Sequence, residues 1–124
     1  MTTALIGARI FDGMDLRDGR AVLIAGGRIV DVVGEDAIPG DAERREVDGL
    51  LAPGFIDVQV NGGGGAFFTN DPSVQALRTM LNGHRPTGTT GMLPTLISDT
   101  QATHQAGVKA VRSAQREGDK GILG

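Results

Sequence analysis

The sequence predicts an α/β chain in which a small antiparallel β-module, residues 1–51, precedes the first βα units of a parallel sheet, residues 52–124. Two observations carry this prediction. Short apolar runs separated by glycine turns fill the first fifty residues, as is typical of hairpins. From Phe55 onward, apolar runs alternate with segments of helical periodicity. Such β-α-β-α-β alternation implies a parallel sheet with right-handed crossovers.

The β-module is predicted from its turns. A β-rich run covers Ala4–Phe11, and the runs Ala21–Ile24 and Arg28–Val33 flank the pair Gly26-Gly27. Two apolar runs about such a pair indicate a hairpin. Residues Glu46–Leu51 are a further candidate strand. No catalytic grouping stands out among these residues.

The second region is predicted from three strand-like segments. Phe55–Val60 is almost continuously apolar, as a buried parallel strand would be. Thr89–Ile97 is a second strand, interrupted at Pro94, and Gly121–Gly124 opens a third. A complete (β/α)8 barrel needs about 250 residues. The segment is therefore either a small open α/β sheet or an incomplete (β/α)8 TIM-type barrel, and the end within a strand-like segment favours truncation.

Two helices lie between these strands. Asn70-Asp71-Pro72 is a start signal that predicts a helix over about residues 72–83. Ser98 and Gln101 match a capping box, which predicts a second helix over about residues 99–117. Gly118 is suited to the position just past its end.

Composition excludes several classes of function. The formal net charge of −3 gives no electrostatic reason to expect nucleic acid or an anionic membrane as a partner. The absence of cysteine excludes disulfides, thiolate metal ligands and a cysteine nucleophile. The first residues lack the features of a signal peptide, and no run of about 18 apolar residues exists. The sequence therefore predicts a cytoplasmic protein.

Two segments resemble the amidohydrolase superfamily. Residues 51–62, LAPGFIDVQVNG, are similar to its first barrel strand, which commonly reads Pro-Gly-Phe/Met-Ile-Asp-x-His-x-His. The two histidine positions hold Gln59 and Asn61 here. That variant, followed by the cluster Gly62–Gly65, resembles the N-acetylglucosamine-6-phosphate deacetylases, which use a single catalytic metal. Residues 88–97, GTTGMLPTLI, resemble the second barrel strand of the same family.

This resemblance implies a metal-dependent carbohydrate amidohydrolase. The family hydrolyses the N-acetyl group of N-acetylglucosamine 6-phosphate to glucosamine 6-phosphate and acetate. The full-length enzyme would use one divalent metal, zinc or iron, bind a phosphorylated amino sugar and form a homo-oligomer. Its N-terminal strands would build a β-sandwich-like module over residues 1–51. The family's metal ligands and catalytic Asp are expected beyond residue 124, so the chain alone is expected to bind no metal and to be inactive.

Gln59 and Asn61 are expected to form the floor of the active site. A neutral amide is a weaker metal ligand than imidazole, so neither is expected to hold a metal directly. Strand alternation places both side chains on one face, where they would bond near the site or order the following loop. Gly62 and Gly63 would open a loop at the barrel mouth, either as a flexible connection or as a phosphate cradle built from backbone N–H groups.

Three other polar residues receive structural interpretations. Asp57 lies in an apolar strand and is expected to be paired with loop backbone, since an unpaired buried carboxylate is costly. His84 is expected at an exposed helix end near the terminal carbonyls. His104 is expected to be solvated, and neither histidine has metal-ligand spacing.

Two rival interpretations remain open at this point. One is another amidohydrolase acting on a cyclic amide, against which the replacement of both strand histidines argues. The other is a non-catalytic α/β interaction module, complete in itself, which would unfold as a cooperative monomer.

Overall fold

The structure, a computed structural model, describes residues 1–124, which divide into two compact units, residues 1–53 and 54–124. The first unit consists of strands and one short 3-10 helix, and both α-helices belong to the second. Neither α-helix has the length and apolarity needed to cross a membrane.

The first unit forms a four-stranded and a three-stranded sheet. Its strands are β1 Thr2–Ile6, β2 Arg9–Phe11, β3 Leu16–Arg17, β4 Arg20–Ala25, β5 Arg28–Gly34, β6 Glu43–Glu46 and β7 Leu50–Leu51, with a 3-10 helix at Glu35–Ala37. The sheet orders are β5-β4-β1-β6 and β3-β2-β7. The predicted hairpin is confirmed, because β4 and β5 pair antiparallel and both glycines between them have positive φ, 58° and 73°.

The expectation of a purely antiparallel module is wrong. β6 runs parallel to β1, and β7 runs parallel to β2. After β5 the chain crosses over through the 3-10 helix and returns in the direction of β1, which a hairpin could not do. The β-rich run from Ala4 to Phe11 is divided between β1 and β2, and Gly7 between these strands has a φ of 88°.

The Asp12 carboxylate organises the turn between β2 and β3. Its Oδ1 accepts hydrogen bonds from the backbone N–H groups of Asp15, at 2.9 Å, and Met14, at 3.0 Å. Its Oδ2 accepts one from Arg17 Nε. These bonds, the one from Asp15 contributing most, lower the pKa of Asp12 from 3.8 to about 2, because they favour the charged carboxylate.

Replacement of Asp12 by asparagine is expected to lower stability in a pH-dependent way. Because the folded-state pKa lies below the unfolded one, the stabilisation is present above about pH 3.8 and is lost as the pH falls through about 2. Urea midpoints of the two proteins should therefore differ at pH 7 and converge towards pH 2. Asp41→Asn, at an exposed position, removes the same charge and is expected to show no such convergence. A constant difference for Asp12→Asn across this range would contradict the assignment.

The second unit is built on a β-α-β crossover. Its elements are β8 Phe55–Val60, β9 Gly62–Gly63, β10 Ala66–Phe67, α1 Val74–His84, a 3-10 helix Arg85–Thr87, β11 Thr89–Pro94 and α2 Gln101–Arg116. β8 and β11 pair in parallel, as predicted. The strand predicted at Gly121–Gly124 is present as a parallel bridge, in which Leu123 N donates to Met92 O and Met92 N to Gly121 O.

Both helix starts differ from the prediction. Ser73 caps α1, and its Oγ accepts from Ala76 N at 3.1 Å. Asn70 and Asp71 instead donate their backbone N–H groups to Phe67 O in the turn that ends β10, so the helix begins later than the sequence signal suggested.

The predicted capping box does not form at α2. Thr100 is the N-cap and accepts from Thr103 N at 3.2 Å, which leaves Gln101 one residue into the helix. The Asp99 carboxylate accepts bonds from the Thr103 hydroxyl and Thr100 N, and they lower the pKa of Asp99. The predicted end is confirmed: Gly118 has a φ of 88° and donates to Gln115 O.

The core of the second unit lies between the two helices and the β8–β11 pair. Its largest fully buried side chains are Phe68, Leu77, Met80 and Met92. The expectation that β8 is buried throughout is wrong. Only Val60 is buried, whereas Phe55, Ile56 and Val58 are 68%, 60% and 69% exposed, and β8 pairs with one neighbouring strand only.

Candidate functional site

The candidate site lies where the two parallel strands of the second unit end. Pro94 of β11 is the register partner of Val60 of β8, and Thr95 N donates to Val60 O at 2.8 Å. Parallel strands end at the same edge of a sheet, so the residues that follow each strand are neighbours. Asn61 and Thr95 therefore meet at this edge.

Asn61 joins the ends of the two strands. Its Nδ2 donates to Thr95 O at 2.8 Å, and its backbone carbonyl accepts from Phe68 N at the same distance. Because a carbonyl can only accept, the side-chain amide must face Thr95 with its nitrogen, which leaves Oδ1 as a free acceptor. The half-buried Asn61 side chain thus connects the end of β8 to the residue that follows β11.

Gln59 and Asp57 precede Asn61 on the same face of β8. The Gln59 side chain is exposed, and its backbone N donates to Asp57 Oδ1 at 3.1 Å. Asp57 is half-buried, and its carboxylate accepts from the backbone of its own strand rather than from loop backbone. The predicted pairing with a loop is therefore wrong. The structure brings Asn61 into a bonded network and leaves the Gln59 side chain open to solvent. A role for either residue as active-site floor stays a prediction.

The glycine cluster is an ordered hairpin. Gly62–Gly63 and Ala66–Phe67 pair antiparallel as β9 and β10, and the turn residues Gly64 and Gly65 have φ values of 60° and 88°. The sequence predicts a loop at this cluster, but the structure shows a hairpin in which β9 and β10 pair with each other. Positive φ values favour glycine at both turn positions.

The hairpin packs directly on α1, and glycine makes this approach possible. A Cβ on Gly64 would lie 2.6 Å from Thr79 O, and a Cβ on Gly83 would lie 2.5 Å from Gly64 N. Both distances are shorter than any ordinary van der Waals contact. The backbones of the hairpin and the helix therefore touch at Gly64 and Gly83 without intervening side chains.

His84 makes a different contact from the one that the sequence predicts. It is the last residue of α1, but its Nε2 lies 2.9 Å from Gly62 O rather than near the helix's own carbonyls, so the predicted role is wrong. The half-buried ring occupies the space that a Cβ of Gly63 would need. Sequence spacing carries no signal for this contact, because it depends on how the hairpin folds onto α1.

His104 lies on α2 away from this network. It is exposed, as predicted, and its closest polar contact is a long one, 3.4 Å from Nε2 to Ile97 O. No three His, Cys, Asp or Glu side chains lie together in a way that could hold a metal ion. The amides of Gln59 and Asn61 are poor ligands by chemistry. The residues present therefore do not fit a metal site.

Comparison with known proteins indicates the class to which the fold belongs. Residues 3–51 match the family described as NagA composite domain. A crystal structure of N-acetylglucosamine-6-phosphate deacetylase from Pasteurella multocida matches with a TM-score of 0.86 and 30% identity, covering 94% of this chain and 31% of that one. The class is thus an α/β chain that matches the N-terminal part of such enzymes.

Two curated relatives point to particular deacetylases. The chain is 37% identical over 121 residues to N-acetylgalactosamine-6-phosphate deacetylase of Shewanella sp. (strain ANA-3), covering 95% of this chain and 31% of the relative. It is 33% identical over 113 residues to N-acetylglucosamine-6-phosphate deacetylase of Haemophilus influenzae, covering 90% and 30%. The chain spans about a third of the length of these relatives. The resemblance inferred from the sequence is confirmed.

Proposed function

We propose that the chain takes part in hydrolysis of the N-acetyl group of N-acetylglucosamine 6-phosphate, giving glucosamine 6-phosphate and acetate. The observation that carries this proposal is the match to the Pasteurella multocida deacetylase along 94% of the chain at a TM-score of 0.86. At 30% identity the match extends beyond fold to sequence. In the reaction, water adds to the acetamide carbonyl, the C–N bond breaks, and the amine leaves with a proton.

We further propose that the second unit supplies the first βα units of a (β/α)8 barrel and the first unit a β-sandwich-like module. The crossover from β8 through α1 to β11, with the bridge at Ile122, supports the barrel. The apolar side chains of Ile56 and Val58, exposed on a strand with one neighbour, are suited to burial by further elements.

Within that barrel, the edge that carries Asn61 and Gly62 corresponds to the carboxyl ends of the strands, where barrel enzymes place their active sites. Gln59 and Asn61 would form the floor, and Gly62 and Gly63 the rim. One divalent metal, zinc or iron, would be held by residues other than these 124. The complete enzyme would be a cytoplasmic homo-oligomer.

A second candidate substrate is the galacto epimer. The Shewanella relative, at 37% identity, is named for N-acetylgalactosamine 6-phosphate. The two sugars differ only in the configuration of one hydroxyl group, which leaves the chemistry at the acetamide unchanged. Choice between them would depend on which polar groups of the site pair with that hydroxyl.

The proposal is tested by acetate release from both sugar phosphates. We expect the 124-residue chain alone to release none, and the product of the complete coding sequence to release acetate from at least one of them. The ratio of kcat/KM for the two epimers identifies the substrate. Lack of activity of the metal-supplemented complete product on both epimers would contradict the proposal, and activity of the 124 residues alone would contradict the need for further residues.

A further inference from the structure

We propose that His84 is a positioning residue that fixes the backbone of Gly62 and Gly63 and, through it, the orientation of Asn61 at the end of β8. Only the expected effect of His84 on catalysis rests on the proposed function. The positioning role itself rests on the contact between His84 Nε2 and Gly62 O at 2.9 Å. Since the carbonyl only accepts, Nε2 must carry the hydrogen.

The end of β8 is held at three successive polar groups by three different parts of the unit. The Asn61 amide bonds to Thr95 O beyond β11, the Asn61 carbonyl accepts from Phe68 N beyond β10, and the Gly62 carbonyl accepts from His84 at the end of α1. Loss of any one bond would leave one of these three groups without that partner. Of the three, only the His84 bond comes from a side chain outside the strand and its hairpin.

The fit of the ring explains why histidine suits the position. The flat imidazole lies against Gly63, at the place where a Cβ would collide with it. The contact of Gly64 with Gly83 brings α1 close enough for a short side chain to reach the hairpin. The two glycine contacts and the ring therefore act together, and His84 supplies the hydrogen bond that sets the angle of the Gly62 carbonyl.

The first test is NMR on the ¹⁵N-labelled 124-residue chain. We expect the His84 Nε2–H proton to be directly visible and protected from exchange with water, whereas the exposed ring of His104 gives no such signal. This measurement needs no variant, so it decides the hydrogen bond even if substitutions impair folding. A His84 ring with the hydrogen on Nδ1, or an unprotected Nε2–H, would overturn the proposal.

The second test compares His84→Leu, which lacks the donor, with His84→Gln, which keeps one. We expect His84→Leu to speed exchange of the Asn61 side-chain amide by about fivefold, the change that corresponds to loss of one net hydrogen bond. His84→Gln is expected to restore part of the protection from exchange. Exchange of the Leu77 amide in the core should not change. His104→Leu is the control. Equal exchange in the Leu and Gln variants, or parallel acceleration at Leu77, would show a merely structural role and overturn the proposal.

The effect of His84 on catalysis is tested in the product of the complete coding sequence. We expect His84→Leu to lower kcat about fivefold with little change in KM, and His84→Gln to recover most of the loss. If the unaltered protein deacetylates neither sugar phosphate, the proposed function fails, and the NMR result still decides the positioning role. If it is active and both variants match it, the catalytic part of the inference is overturned.

Discussion

Replacement of Leu77 by alanine is expected to lower the free energy of unfolding of the second unit by about 2–5 kcal/mol. Leu77 is fully buried on α1 and belongs to the cluster that includes Phe68 and Met92. Truncation removes apolar contacts and leaves a cavity that the surrounding helices and strands can fill only in part. Because both α-helices belong to this unit, urea unfolding followed by circular dichroism at 222 nm reports on it directly.

Val108→Ala on α2 is the control for this measurement. Val108 is 51% exposed, and alanine favours a helix more than valine does, so the change should alter stability by no more than about 0.5 kcal/mol. The chain has no Trp or Tyr, which makes circular dichroism preferable to intrinsic fluorescence. Equal losses for the two variants would mean that the cluster around Leu77 is not the packed core of the unit.

The sequence was sufficient to predict the structure where local chemistry decides it. The strand Phe55–Val60 has the predicted limits, and the hairpin about Gly26-Gly27 has the predicted turn. Gly118 ends α2 as predicted, because a left-handed residue after a helix favours glycine. In each of these cases the deciding residues are neighbours in the chain, so their pattern can be recognised without a fold.

The helix starts show where local signals compete. Asn70, Ser73, Ser98 and Thr100 can all accept a capping bond, and the sequence does not rank them. At α1 the turn after β10 uses the backbone of Asn70, which leaves Ser73 as the cap. The outcome depends on the hairpin before the helix, where the sequence predicts a loop.

The candidate site was predictable in part for a similar reason. The position of Asn61 at the strand end follows from the parallel pairing of β8 with β11, which alternation predicts. The contacts of His84 do not follow, since they require the hairpin to fold back onto α1 through the glycines at 64 and 83. Contacts between backbones leave no apolar or charged pattern in a sequence.

Replacement of Gly83 by alanine is expected to destabilise the second unit by about 1–3 kcal/mol, although alanine favours a helix interior over glycine by about 1 kcal/mol. The new Cβ would lie 2.5 Å from Gly64 N and 2.6 Å from Gly64 Cα. Backbone atoms cannot rotate away, so the β9–β10 hairpin must shift from α1. The shift would also displace Gly62 and Gly63 from the His84 ring, and the Asn61 amide should exchange faster.

Gly107→Ala is the matched control, because it places the same methyl group in the other helix. Its Cβ would lie 2.6 Å from Leu96 Cδ1, which is the tip of a flexible side chain and can move aside. The gain in helix propensity should then prevail, and the variant should be neutral or more stable by up to about 1 kcal/mol. Opposite signs for the two glycines, measured by urea unfolding at 222 nm, would establish that backbone contact with the hairpin requires glycine at position 83. Equal stabilisation of both would show instead that the hairpin yields freely, and that the contact between Gly64 and Gly83 does not hold the end of β8 in place.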